Sequence, residues 1–217
     1  MTTLQDQLDE ITANTRRLVQ AERLAVSERV VRELFDTGIE EKILPVGAQA
    51  PEFTLKDSSG HAVRSADLLT LGPLVIKFFR GRWCPYCVTE LEAWRDLHPR
   101  LREGGALLVA VSPQTVRQSD FMVGQHMLPF PVLSDPGCAA AEKFGLTYAV
   151  PEFYRDYFRS ILVNIPFVNG DESWRLVLPA TYVISSEGRV VLAEAHADFR
   201  VRPEPEEAFT AACELLR

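Results

Sequence analysis

Two cysteines separated by two residues, Cys84-Pro85-Tyr86-Cys87, are the residues most able to do chemistry in this chain. They follow an apolar run, Pro73–Phe79, and precede a segment with Leu91, Trp94 and Leu97 at helical spacing. Proline is favoured at the first helical position, where its missing N–H costs nothing. Cys84 is thus expected at the N-cap and Cys87 at the third helical residue. Free N–H groups and the positive end of the helix dipole stabilise an anion there, and a thiolate is such an anion. An ordinary thiol is only ~3% thiolate at pH 7, and lowering its pKa to about 7 ionises roughly half, a shift of about 2 kcal/mol. Reactivity gains less than that, because nucleophilicity falls with pKa. One helical turn brings the two sulfurs close enough to form a small-ring disulfide.

Other uses of the spacing have to be weighed. A zinc knuckle needs a second pair of ligands, but Cys138 and Cys213 are isolated and the four histidines show no partner spacing. Haem attachment needs a histidine after the second cysteine, and that residue is Val88. Inert packing is the remaining alternative, since buried cysteines behave as small hydrophobes. No metal and no cofactor are expected.

The elements around the pair define the scaffold. Residues 3–43 read as one or two helices ending at Gly38 and Pro45, with Leu4, Leu8, Ile11, Leu18, Val30, Val31, Leu34 and Phe35 on the apolar face. They lie across the domain or against a partner chain. Pro73–Phe79 and Ala106–Pro113 are continuous apolar runs, the mark of strands buried on both faces. Ser65 is expected to cap a short helix. Helices are expected over Pro85–Leu101, from Thr115 to about Met127, after Cys138 and over 204–216. Residues 147–175 form an aromatic-rich insertion, and 179–196 read as a β-hairpin. The fold class is α/β, with a central mixed sheet flanked by helices. The division is an N-terminal helical extension, 1–44, and one domain, 45–217.

The bulk composition excludes several classes. The formal net charge of −7 is the wrong sign for a nucleic-acid footprint. No apolar run reaches the roughly 18 residues of a membrane span. The charged N-terminus has no apolar signal segment, so a soluble cytoplasmic protein is expected. In such a compartment closely spaced cysteines point to redox or metal chemistry rather than to a disulfide scaffold.

The residues also resemble a known family. VGAQAPEFTL, GRWCPYCVTEL, FPVLSDPGCAAAEKFGL and PATYVISSEGRV are similar to segments of the alkyl hydroperoxide reductase and thiol-specific antioxidant superfamily, the peroxiredoxins. The likeness runs from about Val46 to His196. FFRGRWCPYC, GDESW and LPATYVI resemble its C-x-x-C subgroup. The resemblance implies a thioredoxin-like fold. It implies reduction of hydrogen peroxide or organic hydroperoxides through a cysteine sulfenic acid. Recycling would fall to thioredoxin or a glutaredoxin-type dithiol. A homodimer through the N-terminal helices or the insertion is compatible with it.

Aligned with the family, Cys87-Val88-Thr89-Glu90 is the C-x-T-E motif, which makes Cys87 the peroxidatic candidate and carries over Thr89 and Glu90. Two departures stand out. Cys84 replaces the family's threonine, and Pro179 stands where peroxiredoxins commonly carry an arginine. Thioredoxins have a cis proline at that place. Arg80 and Arg82 flank the pair and are the candidates for positive charge, with Trp83 as a shield for the sulfurs. Helix dipole and exposure favour Cys84 as nucleophile toward disulfides, with Cys87 resolving. The sulfur that meets peroxide stays open between them. The rival readings are a thiol–disulfide oxidoreductase and a non-catalytic redox sensor or interaction module.

Overall fold

The computed structural model describes residues 3–216. Two antiparallel-sheet edges enclose a parallel centre. The chain enters through helices α1 (Leu4–Leu18) and α2 (Ala21–Asp36) and a 3₁₀ turn at Ile39–Lys42. The edge strands β1 (Thr54–Lys56) and β2 (Ala62–Arg64) and a short α3 (Ser65–Leu69) follow. Next come β3 (Leu74–Phe78), α4 (Pro85–Glu103), β4 (Leu107–Ser112), α5 (Val116–His126) and β5 (Val132–Ser134). After α6 (Ala139–Lys143), the insertion comprises β6 (Thr147–Ala149), α7 (Glu152–Ser160) and α8 (Ile165–Asn169), and returns on β7 (Arg175–Val177). The hairpin β8 (Ala180–Ile184) and β9 (Val190–Ala195) and helix α9 (Pro205–Glu214) complete the chain.

The main sheet has the order β2-β1-β5-β4-β3-β8-β9, and β6 and β7 form a separate ribbon at the base of the insertion. β3 lies between parallel β4 and antiparallel β8. Every residue of β3 is buried, as a continuous apolar run predicts. Its alternation sorts the two core halves. Leu74, Ile76 and Phe78 pack with Phe144 and Tyr182 on one face, whereas Val75 and Phe79 pack with Leu91 and Trp94 of α4 on the other. Lys77 therefore belongs to the α4 face, although it is fully buried.

Helix α1 begins in a capping box, Thr3 with Asp6, and its first N–H groups also donate to the Glu204 carboxylate. It packs its Leu4 and Leu8 into the core half that holds α4, and Thr12 Oγ1 lies 3.1 Å from the Tyr86 hydroxyl. Helix α2 packs against α7, with the Arg29 guanidinium 3.8 Å from the centre of the Phe153 ring. Both helices thus lie on their own chain. Leu18 and Phe35, expected on the apolar face, are exposed, because each falls at a helix end beyond the packed stripe. Ser65 is the first residue of α3 rather than its cap. Its hydroxyl instead accepts from Phe53 N–H at 3.0 Å and ties α3 to the strand entry. No helix among the described residues is long and apolar enough to cross a membrane.

Candidate active site

Cys84 is the N-cap of α4 and Pro85 its first residue, as the local sequence dictates. The approach to the helix is tight. Gly81 has φ +146°, and a Cβ there would stand 2.6 Å from Trp83 Nε1, so only glycine allows the indole to fold back over the loop. The Cys84 side chain makes no capping bond. Exposure does not distinguish the two sulfurs, because Cys84 and Cys87 are both buried and both free thiols.

Electrostatics does distinguish them. Helical spacing places Cys87 and Glu90 on the face of α4 that meets β3. Burial pushes the Cys87 thiol up, but four influences outweigh it. These are the hydrogen bond from Cys84, the Arg202 and Arg80 guanidinium charges, and the backbone N–H of Arg80. Together they bring Cys87 down to about 6. Arg202 Nη2 points at Cys87 Sγ from 3.7 Å. Cys84 moves the opposite way, first through burial and then through its hydrogen bond to Cys87 and the Cys87 charge. The negative charge of the pair therefore resides on Cys87, and Cys84 holds the proton. Helix dipole and exposure point to Cys84, whereas the Cys84 hydrogen bond and the Arg202 and Arg80 charges favour the anion on Cys87.

Glu90 organises those cations. Its Oε1 lies 2.6 Å from Lys77 Nζ and its Oε2 lies 2.8 Å from Arg202 Nε, with all three side chains buried. These are close charge–charge contacts rather than aligned hydrogen bonds. Lys77 also donates to Thr181 Oγ1 at 3.1 Å. Arg202 comes from the segment between β9 and α9. Arg200, two residues earlier, grips Asp198 at 2.8 Å and Glu28 of α2, which fastens that segment across the N-terminal helices. Arg202 thereby supplies a guanidinium beside the Cys87 sulfur, in addition to the charge of Arg80.

The other expected site residues separate into two groups. Arg80 is buried between the rings of Phe199 and Trp83, 4.2 and 4.7 Å from their centres, and donates to the Tyr154 hydroxyl at 3.0 Å. Its Nε has no acceptor among the described residues. Trp83 packs edge-on against Phe158 of α7. Arg82 turns the other way, toward Gln118 and the Phe121 ring of α5. Thr89 is half-buried, and no side-chain hydrogen bond links it to the described residues. Pro179 immediately precedes β8, whose Ala180 pairs with Phe78, so it borders the loop that leads to Cys84. No peptide bond among the described residues is cis, so the thioredoxin-like cis proline does not occur here.

The remaining cysteines are apart from the pair. Cys138 is buried in the other core half, where burial and then Asp135 push its thiol up to about 12. Cys213 is half-buried in α9 against Gly104.

A cleft of about 570 Å³ opens over Cys84. Its floor is Arg80, Trp83 and Cys84, and its walls come from α1, α2 and α7, including Leu24, Tyr157 and Ile161. The N-terminal helices and the aromatic insertion, distant in sequence, therefore meet above the cysteine pair.

The chain is similar to several known proteins. Peroxiredoxin Q of Oryza sativa subsp. japonica, a chloroplastic protein, is 30% identical over 100 residues, 46% of each chain. This chain thus spans about half the length of that relative. Peroxiredoxin Bcp of Bacillus subtilis (strain 168) is 27% identical over 149 residues, 68% of this chain and 83% of that one. The crystal structure of peroxidoxin BcpB from Mycobacterium tuberculosis superposes with a TM-score of 0.63 at 22% identity, covering 80% of this chain and 99% of that chain. The fold is accordingly the thioredoxin-like fold of the peroxiredoxins. With residues 46–193, about two thirds of the chain, matching the family model, the chain belongs to the AhpC/TSA family.

Proposed function

We propose that the protein is a thiol peroxidase in which Cys87 attacks the peroxide and Cys84 resolves the product. The observation that carries this reading is the set of donors converging on Cys87: the Arg202 guanidinium, the Arg80 N–H and the Cys84 thiol. Such donors hold a thiolate at neutral pH and also stabilise charge developing on a peroxide oxygen. The Cys87 thiolate attacks one oxygen of ROOH, the O–O bond breaks, and the alkoxide leaves as ROH after gaining a proton. The sulfur becomes Cys87–SOH. Cys84–SH then displaces water from it to give the Cys84–Cys87 disulfide. A thioredoxin- or glutaredoxin-type dithiol returns both thiols.

Cys84 lines the cleft and Cys87 does not. The Cys84 side chain must therefore swing aside for peroxide to reach Cys87, which breaks its hydrogen bond to that sulfur but no capping bond to the helix. Arg80, with its unpartnered Nε on the cleft floor, offers a donor to the incoming oxygen. The aromatic and aliphatic walls favour a hydroperoxide with an apolar body over hydrogen peroxide.

The test is sulfenic acid trapping with dimedone. C84S treated with one equivalent of peroxide should carry the adduct on Cys87, and C87S should carry none. An adduct on Cys84 in C87S, at the wild-type rate, contradicts the assignment. Turnover of insulin disulfides without peroxide consumption would favour a thiol–disulfide oxidoreductase instead.

A further inference from the structure

Lys77 has no role in the cycle above, yet it is a fully buried lysine in the central strand of the sheet. The ionisable groups facing it are Glu90 and Cys87 of α4 and Arg202 of the segment before α9. Its neighbour across β8 is the neutral Thr181 hydroxyl, and across β4 it pairs with Ala110. With Cys87 ionised, these four groups sum to zero: two cations, one carboxylate and one thiolate. Arg80 adds one more cation on the cleft side. Oxidation removes the thiolate charge and leaves the excess positive charge buried without a counterion, which is costly in a medium of low dielectric. A guanidinium cannot shed a proton in a protein, whereas a buried ammonium can.

We propose that Lys77 is a redox-coupled proton store, which is an ammonium in the dithiol state and a neutral amine in the disulfide state. The inference rests on the Cys84–Cys87 disulfide proposed above. In the overall step ROOH, Cys84–SH, Cys87–S⁻ and Lys77–NH₃⁺ give the disulfide, ROH, H₂O and Lys77–NH₂. The two electrons come from the sulfurs. Of the two protons used, one comes from Cys84 and one, in net terms, from Lys77, so none is drawn from solvent. Reduction returns one proton to each. Glu90, in contact with both cations, positions Lys77 for this role. The direction of the Lys77 shift agrees: burial lowers its affinity for a proton, and Glu90 and the Cys87 charge raise it.

The chain has four lysines, and Lys42, Lys56 and Lys143 are exposed. In K42R/K56R/K143R, ¹³C-lysine labelling leaves one ε-carbon resonance, that of Lys77. At pH 7.5 it should sit at the cationic position in the dithiol form and move to the neutral-amine position after one equivalent of hydrogen peroxide. In weak buffer with an indicator dye, wild-type protein should take up no proton per disulfide formed. A resonance that stays cationic, with one proton taken up per disulfide, overturns the role of Lys77 and leaves the peroxidase cycle standing. If mass mapping finds no Cys84–Cys87 disulfide after peroxide, the cycle itself fails and this role fails with it.

Discussion

Arg202 and Cys87 are 115 residues apart in the chain, and the Arg202 guanidinium donates to the Cys87 sulfur at 3.7 Å. The same guanidinium touches Glu90 through Nε, so one side chain joins the Cys87 sulfur to the buried Glu90 carboxylate. The arrangement fixes which sulfur of the C-x-x-C pair is anionic. Helix geometry alone gives a positive end that both sulfurs share, and the Cys84 hydrogen bond together with the Arg202 donor favours the charge on Cys87.

Replacing Arg202 with Met should raise the Cys87 midpoint by about one to three pH units, the effect of removing an opposite charge within a few ångströms. The sign follows from the loss of a cation that favours the ionised form. The second-order rate constant with peroxide at pH 7 should fall by about 10²- to 10³-fold, the typical loss on deleting one transition-state donor. Stopped-flow Trp fluorescence measures the rate. An unchanged rate and midpoint would remove Arg202 from the site.

Replacing Glu90 with Gln leaves Lys77 and Arg202 buried without their shared counter-charge. The reduced protein should lose about 3–5 kcal/mol in urea unfolding, as broken buried ion pairs do. Thr89→Ala, at the adjacent motif position, should change stability by about 0.5 kcal/mol or less. Equal losses in the two variants would contradict the ion-pair account.

The cleft makes a prediction about substrates. Leu24→Asp places a carboxylate in the apolar wall contributed by α2. The ratio of catalytic efficiency for cumene hydroperoxide to that for hydrogen peroxide should fall by at least about tenfold, the scale of a lost apolar contact. Steady-state assays with a dithiol reductant measure both values. A constant ratio would mean that the cleft does not hold the apolar body.

The turn that carries the cysteine pair was readable because its determinants are local: an apolar run, a proline at the first helical position and Leu91, Trp94 and Leu97 at helical spacing. The hairpin 179–196 was readable for the same reason. Arg202 was not, since it lies in the segment DFRVRP, which has no periodicity and reaches the site only through the tertiary fold. One signal was available. Lys77 interrupts an apolar run that must be buried, and a buried lysine needs an acidic partner, which points to Glu90 and to further charge around it. The opposite directions of Arg80 and Arg82 could not be read from adjacent letters, because they depend on where α7 and α5 pack. The meeting of residues 1–44 with the insertion over Cys84 is likewise a property of the folded chain alone.

The most direct measurement is a thiolate titration of the reduced protein by absorbance at 240 nm, repeated on C87S. One thiolate should appear with a midpoint of about 6, and that step should be missing in C87S. If no thiolate forms below about pH 8, or if the low step survives in C87S, the anion is not on Cys87 and the account is wrong.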